Sequence, residues 1–224
     1  MISIIIPIYN EELVLLQNQL NFRKLAEKAE LIFVDGGSMD RSVELASEVG
    51  KVLTCGKGRA LQMNFGAQEA LKDILLFLHA DNIISPDTID RIEEALQQDD
   101  VVGGCLTQRI DNERFIFRLI EAQGNIRAKI SKIFYGDQGI FVRKDVFAQI
   151  DAFPEVPVLE DVLFTQKLKS RGKTVVLKEY IFVSSRRWDN RGITRTIILY
   201  STVSVMFRMG FSLDKIKARY EDLR

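Results

Sequence analysis

Between Ile74 and Leu78 the chain runs through Ile74-Leu75-Leu76-Phe77-Leu78 without a polar interruption, then turns polar at His79-Ala80-Asp81. A short, unbroken run of this kind reads as a strand buried on both faces of a sheet, the environment of a parallel α/β core. In open parallel sheets, ligands bind outside the carboxyl ends of the strands. A carboxylate delivered there suits a hard divalent cation held against a phosphate. Taken alone, the tripeptide also fits a polar turn ahead of the helix that Ser85-Pro86-Asp87 opens.

The first hundred residues repeat this rhythm. Residues 2–8, 31–34, 51–54, 74–78 and 101–106 read as strands, and residues 11–28, 40–49 and 59–71 as helices between them. Strands alternating with helices over short connections predict an α/β fold with a doubly wound parallel sheet. After Thr107 the pattern changes to a long basic helix over 112–133, a short strand at 139–142 and helices at 145–150 and 160–171. Two further short strands follow at 174–177 and 180–184. No linker is long enough to separate two domains, so residues 1–190 are expected to form one domain and residues 191–224 a helical extension.

Composition excludes several classes. Thirty-one basic residues balance thirty-one acidic ones, so no global field draws nucleic acid. Cys55 and Cys105 are too few for a disulfide framework or a zinc site and read as small buried hydrophobes. Met1-Ile2-Ser3-Ile4-Ile5-Ile6-Pro7 lacks the basic start of a signal peptide and reads as a strand, so a cytoplasmic location is expected. Residues 193–209 are apolar on most of the circumference, with Arg195 and Arg208 near the ends. The uncharged stretch falls short of the roughly twenty residues needed to span a bilayer. It is read either as a helix packed on the body or in a homodimer interface, or as one lying on the inner membrane face beside a lipid-linked substrate.

Three predicted strands end in polar residues at one edge: Pro7-Ile8-Tyr9-Asn10-Glu11, Asp35-Gly36-Gly37-Ser38 and His79-Ala80-Asp81. In a parallel sheet these ends meet at one crevice. Tyr9 can cover a flat base or simply pack, and Asp35 can accept from a ring N–H or start a glycine turn. Gly56-Lys57-Gly58-Arg59 has neither P-loop nor dinucleotide-binding spacing. Arg59 can still fork onto phosphate or ribose oxygens, or sit in a solvated turn.

The segments Ile4-Ile5-Ile6-Pro7-Ile8-Tyr9-Asn10-Glu11-Glu12, Val34-Asp35-Gly36-Gly37-Ser38-Met39-Asp40 and His79-Ala80-Asp81 resemble, in that order, the family 2 glycosyltransferases of the GT-A fold. Gly136-Asp137-Gln138-Gly139 and Glu160-Asp161 look like that family's acceptor-side and base motifs, so the resemblance covers residues 2–190. Gly58-Arg59-Ala60-Leu61-Gln62-Met63-Asn64 and Leu78-His79-Ala80-Asp81 look closer still to a small bacterial "transferase 2" subgroup associated with radical-SAM or selenium-related genes. That label implies no substrate.

The resemblance implies a doubly wound, mostly parallel sheet of Rossmann-like character with C-terminal helices. Asp81 matches the last acid of the family's Asp-x-Asp motif, which binds Mg²⁺ or Mn²⁺ on the donor diphosphate, and His79 replaces the first acid. Asp35 matches the acid that recognises the base, and Gly36 stands where many members carry a second acid. Pro7, Tyr9, Glu11 and Arg59 complete the implied nucleotide-sugar side. Asp161 matches the catalytic base, with Asp137, Gln138 and Glu160 on the acceptor side. Arg186-Arg187-Trp188 is similar to the Arg-Trp element near acceptor and diphosphate. Ser184 and Ser185 stand where processive synthases open that element with glutamine, which argues against a polymerising enzyme.

The implied activity is inverting, metal-dependent transfer from a nucleotide diphosphate sugar, with UDP the expected nucleotide, to an acceptor hydroxyl. Asp161, raised in pKa beside Val158, Leu159 and Leu163, would take the acceptor proton, an effect typically worth ~10²–10⁴-fold. A sugar nucleotidylyltransferase is the alternative enzyme, but it needs a glycine-rich N-terminal loop that Pro7-Ile8-Tyr9-Asn10 does not supply. A non-catalytic nucleotide-sugar-binding or membrane-associated protein is the alternative of another class.

Overall fold

The computed structural model describes residues 1–222. Its first strands, β1 (Ile2–Ile8), β2 (Glu30–Asp35), β3 (Lys51–Thr54) and β4 (Ile74–Phe77), pair in parallel in the spatial order β3-β2-β1-β4. Successive side chains on a strand point to opposite faces. Here both faces are apolar: Ile2, Ile4, Ile6 and Ile8 enter one core cluster while Ile5 enters the other. Leu31 and Phe33 likewise face one way, and Ile32 and Val34 the other. Each fully buried side chain of this kind contributes about 1.5–3 kcal/mol.

Helices cover both layers. Residues of α1 (Glu12–Ala26) and α2 (Ser42–Ser47) pack into the first cluster, and those of α3 (Arg59–Glu69) into the second. The approach of α3 is close. A Cβ on Gly66 would lie 2.6 Å from Ile5 Cγ2 and 2.8 Å from Val34 Cγ2.

The second half adds to the same sheet, which among the described residues has eight strands in the order β3-β2-β1-β4-β7 (Ile140–Arg143)-β6 (Val101–Asp111)-β8 (Lys173–Ser184)-β5 (Ile83–Ile84). A two-residue strand, β5 (Ile83–Ile84), precedes α4 (Asp87–Leu96) and was not anticipated. β6 (Val101–Asp111) leads into α5 (Phe115–Ser131), shorter at both ends than the expected 112–133. β7 (Ile140–Arg143) slots between β4 and β6 antiparallel to both, so the sheet is mostly rather than wholly parallel. The Gly103-Gly104 pair allows this packing. A Cβ on Gly103 would lie 2.5 Å from the Phe141 carbonyl oxygen, and one on Gly104 2.2 Å from that of Val175. After α6 (Lys144–Gln149) and α7 (Glu160–Leu168), the two strands expected at 174–177 and 180–184 are one, β8 (Lys173–Ser184). Its register against β6 shifts between Cys105 and Thr107, which is why it reads as two pieces. Cys105 is buried as expected, whereas Cys55 is only partly so.

At the C-terminal end lie α8 (Arg186–Arg191), α9 (Ile193–Arg208) and α10 (Leu213–Asp222). Leu199 and Val203 of α9 meet Ile216 of α10 in a small third cluster, against which Val158 and Leu159 pack. Among the described residues no helix is long and apolar enough to cross a membrane.

Candidate active site

The crevice begins where β1 and β4 part. The Leu78 N–H still donates to the Ile5 carbonyl at 3.1 Å, but β4 ends at Phe77, before Pro7 would need a partner on that side. A proline that lacks an N–H therefore costs no ladder bond in a central strand. Beyond it, Asn10 takes a left-handed conformation at φ 54° and the chain turns into α1.

The loops after β1 and β2 hold each other. Asn10 N–H donates to Ser38 Oγ at 2.9 Å, Met39 N–H to Asn10 Oδ1 at 2.8 Å, and Glu11 N–H to Ser42 Oγ at 2.7 Å. Asp35 is buried, and its carboxylate accepts from Gly37 N–H at 2.9 Å, from Ser38 N–H at 3.1 Å and from the Ser38 hydroxyl. Of its two expected uses, the turn is the one these bonds display. Behind it the buried Gln62 donates to the carbonyls of Ile8 at 2.9 Å and Val34 at 2.7 Å. A side chain at Gly36 would meet that amide at 3.2 Å, so Gln62 occupies the room a second acid would need.

The exit of β4 faces both halves of the crevice. Asp81 is partly buried, and no described residue donates a hydrogen bond to it. The Glu11 carboxyl is raised above its ordinary value by burial and then by the Asp81 charge, with Arg186 opposing. Asp40 adds to the rise, so the Glu11 carboxyl lies within electrostatic reach of two other acids and one guanidinium. Among the described residues no group of three or more His, Cys, Asp or Glu side chains is placed to hold a metal ion. The donor set fits a Mg²⁺- or Mn²⁺-type ion that takes one or two carboxylates and completes its shell with water and substrate phosphates, rather than an all-protein cage.

On the other side His79 reaches toward the 3₁₀ turn Gly136–Gln138 and the N-terminus of α7. Asp161 Oδ2 accepts from Gly136 N–H at 2.6 Å and Oδ1 from its neighbour Val162 N–H at 2.7 Å. Burial and the adjacent Glu160 push the Asp161 carboxyl up to about 6, against the pull of these N–H groups and of Arg59. Glu160 is itself buried, with Arg59 Nη1 3.6 Å from its Oε1. A carboxyl near 6 is largely ionised at neutral pH and can accept a proton there.

Other expected residues take supporting positions. Lys57 Nζ stands 3.8 Å over the Tyr9 ring, so one face of that ring is already covered by a cation. Asp137 accepts from Gln108 Nε2 at 2.7 Å. Gln138 is fully buried, accepting from Arg127 and from Tyr135 N–H at 3.1 Å each. Trp188 packs edge-on between Phe117 at 6.1 Å and Tyr200 at 5.6 Å, tying α8 to α5 and α9. The side chain of Arg187 lies outside the described residues. A cavity of about 500 Å³ lined by Met1, Asp73, Glu93 and Arg143 lies at the opposite sheet edge, where β1 and β4 begin. Its Arg143 is committed to the carbonyls of Val101, Leu96 and Gln98.

Sequence reasoning missed the amides that hold the rim. Asn18 donates to the Ala80 carbonyl and Asn21 to that of Ile84, each at 2.8 Å, while Asn82 Oδ1 accepts from His79 N–H at 2.9 Å. The one available signal was the recurrence of amides among the apolar positions of α1 and α3.

Comparison with known proteins bears on the fold and the family. An undecaprenyl-phosphate 4-deoxy-4-formamido-L-arabinose transferase of Pectobacterium atrosepticum is 35% identical over 136 residues, 54% of this chain and 41% of its own length. One of the same name from Photorhabdus laumondii is 31% identical over 159 residues, 63% of this chain and 48% of its own. The chain thus spans less than half the length of these curated relatives. Among solved structures, Staphylococcus aureus TarS 1-349 superposes with a TM-score of 0.68 at 20% identity, over 99% of this chain and 71% of that one. The Pyrobaculum calidifontis mannosyltransferase PcManGT, in complex with GDP-Man and Mn²⁺, superposes at 0.69 with 16% identity, over 99% and 69%. These likenesses show the GT-A fold. The model of glycosyl transferase family 2 matches residues 3–153, and the chain belongs to that family.

Proposed function

We propose that this chain transfers a glycosyl group, with inversion, from a nucleotide diphosphate sugar to an acceptor, with Asp161 as the base. The observation that carries this reading is the Asp161 carboxyl itself. It is fixed by two backbone N–H groups, raised to about 6, and set across Gly136 from the exit of β4. A base held in one orientation takes the proton of an acceptor hydroxyl as that oxygen attacks the anomeric carbon, while the diphosphate leaves on the opposite side.

Asp81, with Glu11, would hold the divalent cation, which when bound neutralises charge on the leaving diphosphate. Arg59 and Arg186 supply fixed positive charge at the same rim. The interlocked loops around Asp35 and Ser38 would receive the nucleoside, and Tyr9 and Pro7 line the approach. The complexes of structural neighbours with UDP-GlcNAc, and with GDP-Man and Mn²⁺, support a nucleotide-sugar donor.

The name of the curated relatives favours a second reading of the acceptor, a polyprenyl phosphate. A phosphate oxygen is already anionic and needs no base, so the two acceptors predict different behaviour of Asp161→Asn. With nucleotide sugar and Mn²⁺, the wild type should slowly release nucleoside diphosphate. With a hydroxyl acceptor, Asp161→Asn should keep donor binding and lose transfer. Transfer that survives in Asp161→Asn would remove the base assignment and favour the phosphate. Absence of any donor binding or hydrolysis by the wild type would remove the reading altogether.

A further inference from the structure

We propose that the outward face of α5 seats this protein on an anionic membrane surface. Phe115, Leu119, Ile126 and Ile130 are 74%, 51%, 56% and 79% exposed. Their spacing, with exposed Ala122 between them, sets all of them on one side of the helix. The opposite side is firmly docked. Phe117 and Ala128 are buried, Glu121 accepts from Ile110 N–H, and Asn125 exchanges two hydrogen bonds of 2.9 Å with Gln108. The helix is therefore held in this orientation, and the apolar stripe faces outward because the inner contacts require it.

Charge selects the occupant. From 114 to 132 the chain carries Arg114, Arg118, Arg127, Lys129 and Lys132 against the single acid Glu121. That acid is buried and paired with Arg118 at 2.7 Å. Arg118 is turned inward onto the carbonyls of Ile110 and Asn112, and Arg127 onto the Ile133 carbonyl and Gln138. The positive charge beside the stripe is therefore that of exposed Arg114 and Lys129, with Lys132 at its C-terminal end, and Glu113 adjoins Arg114. An apolar stripe flanked by Arg and Lys is the pattern of a helix lying in the plane of an anionic bilayer. A symmetric contact with a second copy would set the same basic residues against each other. At 17 residues α5 is also too short and too charged to span. The outer face of α9 is less suited, since exposed Ile198, Val205 and Met209 share it with Thr194 and Ser201.

The seat extends the proposed transfer. The C-terminal end of α5 leads directly to the Gly136–Gln138 turn that holds Asp161, so a lipid-linked acceptor would arrive beside the base. The test is sedimentation of the full chain with vesicles of phosphatidylcholine alone or mixed with phosphatidylglycerol. Binding should need the anionic lipid and weaken with salt. Leu119→Glu with Ile126→Glu should weaken it about tenfold or more, with the melting temperature and vesicle-free donor hydrolysis unchanged. Arg114→Glu with Lys129→Glu should remove the anionic preference. Undiminished binding by the first pair, or none by the wild type, would overturn the seat. So would a dimer that the first pair dissolves without any vesicle binding. Vesicle binding without donor hydrolysis would leave the seat standing and count against the transfer.

Discussion

His79 and Asp161 face each other across a glycine: a Cβ on Gly136 would lie 3.0 Å from His79 Nε2 and 3.4 Å from Asp161 Oδ2. The same glycine donates the 2.6 Å hydrogen bond that orients the carboxylate. Gly136→Ala should therefore displace the Asp161 carboxylate, the proposed base, more than it disturbs the core. The expected outcome is a loss of kcat of tenfold or more, on the order of 1.4 kcal/mol, with a melting temperature within a few degrees of wild type. Equal activity in the two proteins would show that the pairing across the glycine is not used.

The pH dependence follows from the raised Asp161 carboxyl. A base must be ionised, so kcat/KM should fall about tenfold per unit once the pH drops below about 6. Arg59 holds this value down, so Arg59→Ala should move the acid limb to higher pH. A limb that stays put would disconnect Asp161 from the rate.

Stability should run the other way. The folded value lies above the ordinary 3.8, so the folded state binds the proton more tightly and this group destabilises increasingly as pH rises from about 4 to 6. Asp161→Ala should compare better with wild type at pH 7.5 than at pH 4. The direction of this difference between the two pH values is the expected result. Denaturant titrations at both pH values measure it.

Asp81→Ala should remove the increment in melting temperature that Mn²⁺ adds to a nucleotide sugar, and it should lower the Glu11 carboxyl by taking away a neighbouring charge. A ligand at a hundredfold excess over its Kd stabilises by about 2.7 kcal/mol, well within a thermal shift. An unchanged increment would place the cation elsewhere.

Gly66→Ala drives a methyl group into Ile5 and Val34 at 2.6 and 2.8 Å. The expected cost is about 1–3 kcal/mol of stability, seen as a lower denaturation midpoint with unchanged steepness.

The parallel half of the sheet was legible because its strands are covered on both sides, which leaves apolar runs such as Ile2–Ile8 unbroken. β5 was not, since two residues carry no period and gain their order from Ile181 and Phe182 of β8. The direction of β7 leaves no local trace either, as it is set by how the chain returns from α5. At the site, the acids at strand ends could be picked out singly. Their partners could not: Gly136 is 25 residues from Asp161, and Asn18 is 62 from the carbonyl it satisfies. Amides on α1 and α3 look solvent-facing until the sheet supplies the backbone oxygens of Ala80, Ile84, Ile8 and Val34.

The mutual bonds among Asn10, Ser38, Glu11 and Ser42 mean that the loops after β1 and β2 become ordered when the chain folds, not when a ligand arrives. A guest entering there meets a seat already set and gives up little freedom on the protein's behalf. The corollary is fragility of a shared kind: loosening either loop unfastens its neighbour as well.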